Sequence, residues 1–401
     1  MPTPDGDRTT ANPVLLTNRH IGDVNRSRVL RAFCDHGPLS RADLARLAGV
    51  PRATIGVIVQ GLLEDDLLEE SAPLPTAGRV GKPARPLWFR RDAGLAGAVA
   101  FGGGTEAALV NARGEVLARS RDPRDPATLT AADLATTVVG QLTAVLPPDG
   151  AGVLGVGIAV PGVCDTETST VVGSSQLPNA SGDGLARAVA AAFGLPVLVD
   201  NDARAQALGE KWFGEGRGVS TFASVQTGGG LGVGLVLGGV LHRGDDGMTG
   251  ELGHTCVDAD GELCHCGLRG CWETVATLGW LRAAAAQRGV ADADRLDSSA
   301  LVARVSAGAS GAAALLDDYA DHLALGLANL MQLLKPSRLL LHGDVVGGGE
   351  LLRARIEDRV RARCLPHLRD AVNVALSPLD LDAGLLGAAG LVLSETFRLA
   401  V

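Results

Sequence analysis

Between His254 and Cys271 the chain places His254, Cys256, Cys264, Cys266 and Cys271 within eighteen residues, in the run HTCVDADGELCHCGLRGC. Reduced cysteines at that density hold a metal, and a metal dictates the path of the loop that binds it. The core is Cys264-x-Cys266 with Cys271 after four intervening residues. Soft thiolates and one imidazole at such spacing suit a four-coordinate zinc. The fourth ligand is His254 or Cys256, since residues two apart on a strand share a face, and His265 is a weaker candidate. Gly267 and Gly270 fit a tight knuckle. Such a site is closed, hence structural rather than hydrolytic.

Disulfides are the competing use of these thiols. The chain has seven cysteines, an odd number, and Cys34, Cys164 and Cys364 stand apart. The opening MPTPDGDRTTANP is polar and offers no apolar core of a secretory signal. No run approaches the roughly 18 apolar residues of a membrane span. A cytoplasmic protein with a metal knuckle and no membrane partner is expected.

The 401 residues exceed one ordinary domain, and with 46% hydrophobic residues they can bury at least two cores. Fifty-four glycines imply many tight turns and close backbone approaches. The net charge of -9 is unevenly spread: residues 1–92 carry +2 and the remainder -11. After a disordered tail over 1–22, residues 23–92 are expected to form a separate head.

In that head, Asn25 to Asp35 carries Val29, Leu30, Phe33 and Cys34 at helical spacing, and Gly37-Pro38 stops it. Ser40 is a good N-cap for a second helix with Asp43 in its first turn and Leu44, Leu47 and Ala48 as its stripe. Gly49-Val50 makes a short turn, and Pro51 to Leu63 forms a third helix with Ile55, Ile58, Val59, Leu62 and Leu63 inward. This is the pattern of a helix-turn-helix. Its outward side can meet phosphates and base edges through Ser40, Arg41, Arg52, Thr54 and Gln60, with Gly56 permitting close approach. An acidic run from Glu64 to Glu70 should face away from DNA. Residues 76–91 then hold Arg79, Lys82, Arg85, Arg90 and Arg91 and no acid, the pattern of a β-hairpin wing whose Arg79 and Lys82 follow the phosphate backbone. Base specificity requires two such heads, so a homodimer or tetramer is implied.

From residue 93 to 401 the chain becomes Gly- and Ala-rich. Residues 95–120 read as strand, glycine turn, strand, turn at Asn111 to Gly114, and strand. Residues 221–244 repeat that plan, with the glycine turn at Gly228 to Gly230. Two related lobes follow, one over about 93–210 plus a C-terminal helix and one over about 211–380, with ligand bound in the cleft between them. In PVLVDNDARAQALGE a buried strand ends at Asp200-Asn201-Asp202 where a helix begins. Asp202 is there either as an acceptor or general base for a substrate hydroxyl or as the helix N-cap. Residues 281–322 read as solvated helices packed by Ala and Leu, and 341–350 as a strand and glycine turn or a plain loop.

Together, NRSRVLRAFCDHGPLSRADLARLAGV, GIAVPGVCD, DNDARAQALGE, GELGHT and CHCGLRGCWE resemble the family of repressors, open reading frames and sugar kinases (ROK). The resemblance covers nearly the whole chain after residue 20. It implies an α/β fold: a winged helix-turn-helix followed by a two-lobed, actin-like or ribonuclease H-like ATPase fold of the sugar-kinase type, with a zinc-binding loop. It implies zinc on His254, Cys264, Cys266 and Cys271, and a sugar pocket of Asn179, Asn201, Asp202, Glu251, His254 and Glu273. Kinases of this family carry a D-x-G-G-T motif on the first glycine turn, and here Phe101-Gly102-Gly103-Gly104-Thr105 stands in its place. Losing that carboxylate argues against ATP and Mg²⁺ as cofactors. The expected function is a sugar-responsive regulator of carbohydrate genes, with operator DNA and a sugar or sugar-phosphate effector as partners. The rivals are an ATP-dependent sugar kinase, in which Asp202 is the catalytic base, and a regulator controlled by a protein docking on the zinc loop.

Overall fold

The computed structural model describes residues 18–72, 85–244 and 249–399. Three helices open it: α1 (Asn18–His36), α2 (Arg41–Ala48) and α3 (Arg52–Glu64). Residues 1–17 of the expected tail lie outside the described residues, but Asn18 to Gly22 are helical, so α1 starts seven residues earlier than its apolar spacing indicates. Ser40 caps α2 in a reciprocal capping box with Asp43, and Gly49 ends it in the left-handed region. The two helices α2 and α3 meet at 115°. Strands β1 (Leu68–Glu70) and β2 (Leu87–Phe89) pair antiparallel, Leu68 opposite Phe89. The segment between them that holds Arg79 and Lys82 lies outside the described residues.

The acidic run is neutralised within the head and its seam. Asp65 meets Arg26 at 2.8 Å, Asp66 meets Arg90 at 2.6 Å, Glu69 meets Arg113 at 2.6 Å and Glu70 meets Arg41 at 2.5 Å. These exposed pairs set local geometry more than stability.

Strands β3 (Leu95–Gly102), β4 (Gly104–Val110) and β5 (Val116–Asp122) form an antiparallel meander. Helix α4 (Ala131–Val145) then leads to β6 (Val153–Val160). The small hairpin β7 (Val163–Asp165) and β8 (Thr170–Gly173), helix α5 (Gly184–Phe193) and β9 (Val197–Asn201) complete the first lobe. The sheet order is β5-β4-β3-β6-β9, with β6 parallel to both β3 and β9.

Helix α6 (Asp202–Phe213) crosses to the second lobe, where β10 (Phe222–Thr227), β11 (Gly232–Leu237) and β12 (Val240–Leu241) repeat the meander. Helices α7 (Trp272–Val275), α8 (Leu278–Gln287), α9 (Ser298–Ser306) and α10 (Ala312–Leu334) precede β13 (Arg338–Gly343). Helices α11 (Asp344–Gly347) and α12 (Gly349–Arg363) then lead to β14 (Val374–Leu376) and α13 (Asp382–Phe397). The order β12-β11-β10-β13-β14 has the same pairing senses as the first sheet, so the duplicated plan is realised strand for strand. The stretch 281–322 is not solvated throughout. Its last helix, α10, buries Leu315, Leu316, Tyr319, Leu323 and Leu327 at the centre of the second core.

Two helices join everything. Along α6 every residue from Ala203 to Trp212 is buried, and α13 lies against it. One core cluster contains Phe33, Leu44, Ile55 and Phe89 of the head together with Leu208, Trp212, Leu391 and Phe397 of the body. Phe89 stacks on Phe397 with ring centroids 5.6 Å apart. The head is thus continuous with the body's interior.

Beneath α6 lies a buried polar group of Glu210, Ser224, Ser377 and His342. His342 Nε2 is 3.0 Å from Ser224 Oγ and 3.7 Å from Glu210 Oε1. Burial pushes His342 down from its ordinary 6.5 to about 4. A histidine depressed in the fold contributes stability that is present above pH 6.5 and lost as pH falls toward 4, here up to about 3 kcal/mol. Urea unfolding at stepped pH is expected to show that loss in the native protein and a shallower slope in His342→Gln.

Candidate functional site

Two polar side chains are presented where β9 ends. Asn201, not Asp202, caps α6: its Oδ1 accepts from Arg204 N at 3.1 Å. Its Nδ2 donates to Gly162 O at 2.9 Å and Asp202 Oδ1 at 3.1 Å. Asp202 Oδ1 also accepts from Ala203 N at 2.8 Å. Both bonds fall on one oxygen, leaving the other carboxylate oxygen for a ligand hydroxyl. Burial raises the Asp202 carboxyl above its ordinary value, and the nearby Glu251 raises it further.

Behind these residues is a charged anchor that sequence pattern did not mark. Asp200 is fully buried between Arg204, at 2.6 Å, and Arg243, at 3.0 Å. Arg204 also donates to Thr249 O at 3.2 Å and Cys164 O at 3.3 Å. The loop that leads into Gly250 and Glu251 is thereby tied to the start of α6. Paired and hydrogen-bonded in this way, buried charges hold geometry rather than add stability.

The other half of the site is the cysteine loop. His254 Nε2 lies 3.8 Å from Glu251 Oε2, and its Nδ1 lies 3.6 Å from Glu273 Oε2 and from Cys264 Sγ. Glu273 Oε1 accepts from Leu231 N at 3.3 Å, beside the second glycine turn. A Cβ on Gly230 would come within 2.9 Å of Gln176 and 3.0 Å of Glu273, so a residue of the first lobe reaches the same turn. Gln176 lies three residues before Asn179, in a loop with no sequence signal. Asn179 itself donates to Pro126 O at 2.8 Å and Leu129 O at 2.9 Å, while its buried Oδ1 has no protein partner. Asn201 bonds to Asp202, Glu251 and Glu273 flank His254, the charge of Glu251 is felt at Asp202, and Asn179 is anchored separately.

The donor atoms of His254, Cys264, Cys266 and Cys271 all lie within 4.8 Å of one another. Cys256 is outside this group; it is exposed and bridges through its backbone to Cys271. Cys266 and Cys271 are 3.6 Å apart, as are Cys264 Sγ and His254 Nδ1. Tetrahedral zinc with ordinary Zn–S and Zn–N lengths requires edges of about 3.5–3.8 Å, so the four donors fit one ion. A second foursome of His254, Cys264, His265 and Glu273 shares two of these donors. In it His265 Nε2 is 3.0 Å from Glu273 Oε2, a hydrogen bond in place of a shared ligand position. Three clustered thiols and one imidazole make the softer and more zinc-like set.

At the first glycine turn, Phe101 pairs with Thr105 and Gly102 with Gly104, leaving Gly103 at the tip. Phe101 packs against the core of its lobe. Arg121 donates to Gly103 O at 2.9 Å. The nearby carboxylates are engaged, Glu106 by Arg119 and Asp122 by Arg124. At the second turn the Thr227 hydroxyl donates to His342 O at 2.7 Å and accepts from Val345 N at 3.2 Å. Asp344, which follows at the start of α11, accepts from Ser298 N at 3.0 Å and from the Tyr319 hydroxyl at 3.3 Å.

The model of the ROK family matches residues 96–395. The chain belongs to the ROK family. A putative xylose repressor of Caldicellulosiruptor sp. is 28% identical over 94% of this chain and 96% of its own length. The crystal structure of a ROK family transcriptional regulator, a homologue of the E. coli MLC protein, superposes with a TM-score of 0.76 at 28% identity. It covers 94% of this chain and 100% of its own. A ROK family glucokinase from Streptomyces griseus, in complex with glucose and AMPPNP, gives a TM-score of 0.65 at 31% identity. That enzyme covers 74% of this chain and 98% of its own, so a whole ROK kinase leaves a fifth more of this chain unmatched than the regulator does. Among the described residues no single helix is long and apolar enough to cross a membrane.

Proposed function

We propose that this chain is a sugar-responsive transcriptional repressor. Its head, about 23–92, is a winged helix-turn-helix that binds operator DNA, and its two ROK lobes bind a sugar or sugar derivative. Relatives that span the head as well as the lobes include a putative xylose repressor and a transcriptional regulator, which supports this reading. The observation that carries it is α6. Its first turn presents Asn201 and Asp202, and its last turn sets Lys211 Nζ 3.4 Å from Asp35 Oδ1 of α1. Twelve residues of helix make a strut of about 18 Å. A ligand that re-orients Asp202 therefore acts on the element that carries the head.

In this reading Asp202, Glu251 and Glu273 accept hydrogen bonds from vicinal hydroxyls, while Asn201 and Asn179 complete the pocket. Zinc is held by His254, Cys264, Cys266 and Cys271, and its part is structural. Bound through Nδ1, His254 keeps its proton on Nε2, facing Glu251 and the sugar. Two heads on one operator require at least a homodimer. Of the residues expected to meet DNA, Ser40 is committed to its cap, Arg41 to Glu70 and Gln60 to Glu64, while Arg52 makes no ion pair among the described residues.

Fluorescence anisotropy on duplex DNA from upstream of its own gene, titrated with free and phosphorylated sugars, tests the function. Tight binding altered by one sugar is the expected result; no sequence-specific binding under any condition would sink it. Lys211→Met is expected to leave DNA and sugar affinities within about threefold of the native values while reducing the effect of one on the other at least fivefold. Unchanged coupling in that variant would remove α6 as the route.

A sugar kinase is the second reading, favoured by the availability of Asp202. It is opposed by Phe101 and by the engaged carboxylates around the first turn, because phosphoryl transfer depends on charge neutralisation at the phosphates. Sugar-dependent ADP release across a hexose panel would favour it.

A further inference from the structure

The outward face of α3 works against its own helix. Gly56 and Gly61 sit in the helix interior, where glycine is a poorer helix former than every residue but proline. A Cβ at either position would meet nothing within 4 Å, so internal packing does not call for these glycines. Between them Val57 stands 75% exposed. A β-branched side chain loses rotamer freedom on a helix, and this one recovers little by burial. Ala53, Val57 and Gly61 follow one another at four-residue intervals and form a single stripe.

The stripe is shallow and apolar at its middle. At its N-terminal end Arg52 is exposed and makes no ion pair among the described residues. Gln60, beside the stripe, is exposed and gives an amide N–H to Glu64 at 2.9 Å. A shallow helix face admits close approach of a large surface. A single isopropyl group asks for a small apolar contact there, and the free cation asks for an anion beside it. The major groove of duplex DNA offers that combination, since thymine projects a C5 methyl between flanking phosphates.

Resting on the repressor reading above, we propose that Val57 reads a thymine methyl in the operator's major groove. Gly56 and Gly61 let the α3 backbone approach the bases, and Arg52 meets the adjacent phosphate. Val57 is thus a specificity-determining residue that carries no hydrogen-bonding group.

The test uses duplexes selected from a random pool by the full-length, sugar-free protein, with each thymine then replaced singly by uracil. At one thymine per half-site, loss of the methyl is expected to weaken binding about three- to fivefold. Val57→Ala, which loses both γ-methyls, should shrink the difference between the thymine and uracil duplexes, and Val57→Thr, which keeps one γ-methyl, should still distinguish them. Gly56→Ala should raise the melting temperature while weakening binding to both duplexes. Sequence-specific binding that tolerates uracil at every position overturns the assignment and leaves the repressor reading standing. A selection that enriches no duplex removes the repressor reading, and the assignment with it. A change of oligomeric state in Val57→Ala would give this face to a second copy of the chain and also overturn the assignment.

Discussion

Cys266→Ser is expected to lower sugar affinity at least tenfold and to remove the sugar response, while sugar-free DNA binding stays within about threefold of native. The loop from Glu251 to Glu273 has little of its own to hold it. Leu263 and Leu268 are 64% and 59% exposed, and Cys256 and Cys266 are exposed as well. What fixes the loop is its backbone hydrogen bonds, with the bridges Cys256–Cys271 and Leu263–Arg269 among them, and the four donors around one point. His254 and Glu273 both hang from it and lie 3.6 Å apart, so loss of one ligand releases a donor and an acceptor at once. The head, by contrast, is held by Arg113, Lys211, Gly239 and Phe397, none of them in this loop. Calorimetry with sugar, beside metal content by mass spectrometry, decides the matter. One zinc per native chain and none in a sugar-blind variant is the expected pair of results; a metal-free protein with full sugar affinity would break the link.

Gly387→Ala is expected to cost about 3 kcal/mol or more in stability and to loosen the head as well as the lobes. A Cβ there would lie 1.6 Å from Ala205 O. One on Gly209 would lie 2.1 Å from Ala383 O, and one on Gly157 1.8 Å from Ala388 O. At all three places backbone meets backbone across α6, α13 and β6, and no rotamer change relieves the clash. The helices have to separate, and a core this dense transmits that shift. Gly384 in the same helix is the control, because its Cβ would meet nothing within 4 Å. Gly384→Ala should be neutral or stabilising by up to about 1 kcal/mol. Equal melting temperatures for the two variants would disprove the weld.

The strands were legible because alternation and glycine turns survive in sequence: 95–120 and 221–244 announce both meanders, and DND announces a strand giving way to a helix. The cysteine spacing announced a cluster but left His254 and Cys256 open. Only the fold puts Cys256 Sγ outside the group, since its backbone bridge to Cys271 is a matter of strand pairing. Gln176 was invisible because nothing local distinguishes a loop glutamine that reaches the other lobe. The buried character of α10 was masked by its alanines and aspartates, which read as solvated until Trp272, Leu281 and Leu352 are packed around them. The start of α1 was missed because Asn18 to Val24 shows no apolar period. The wing residues Arg79 and Lys82 lie outside the described residues, and their role is an expectation from charge alone.

The stacking of Phe89 on Phe397 brings together residues separated by most of the chain, and Ser27 donates to Phe397 O at 3.1 Å beside it. This has a practical bearing on modular exchange. Sensors are often built by grafting the reader of one regulator onto the receptor of another at the linker. A graft cut here at residue 92 would strip Phe89 of its partner Phe397 and open the shared apolar cluster on both pieces. Interchangeable cassettes in this architecture must carry the last turn of α13 with the reader, so that the unit of inheritance is a discontinuous one, made of the head and a helix turn some three hundred residues away from it in sequence.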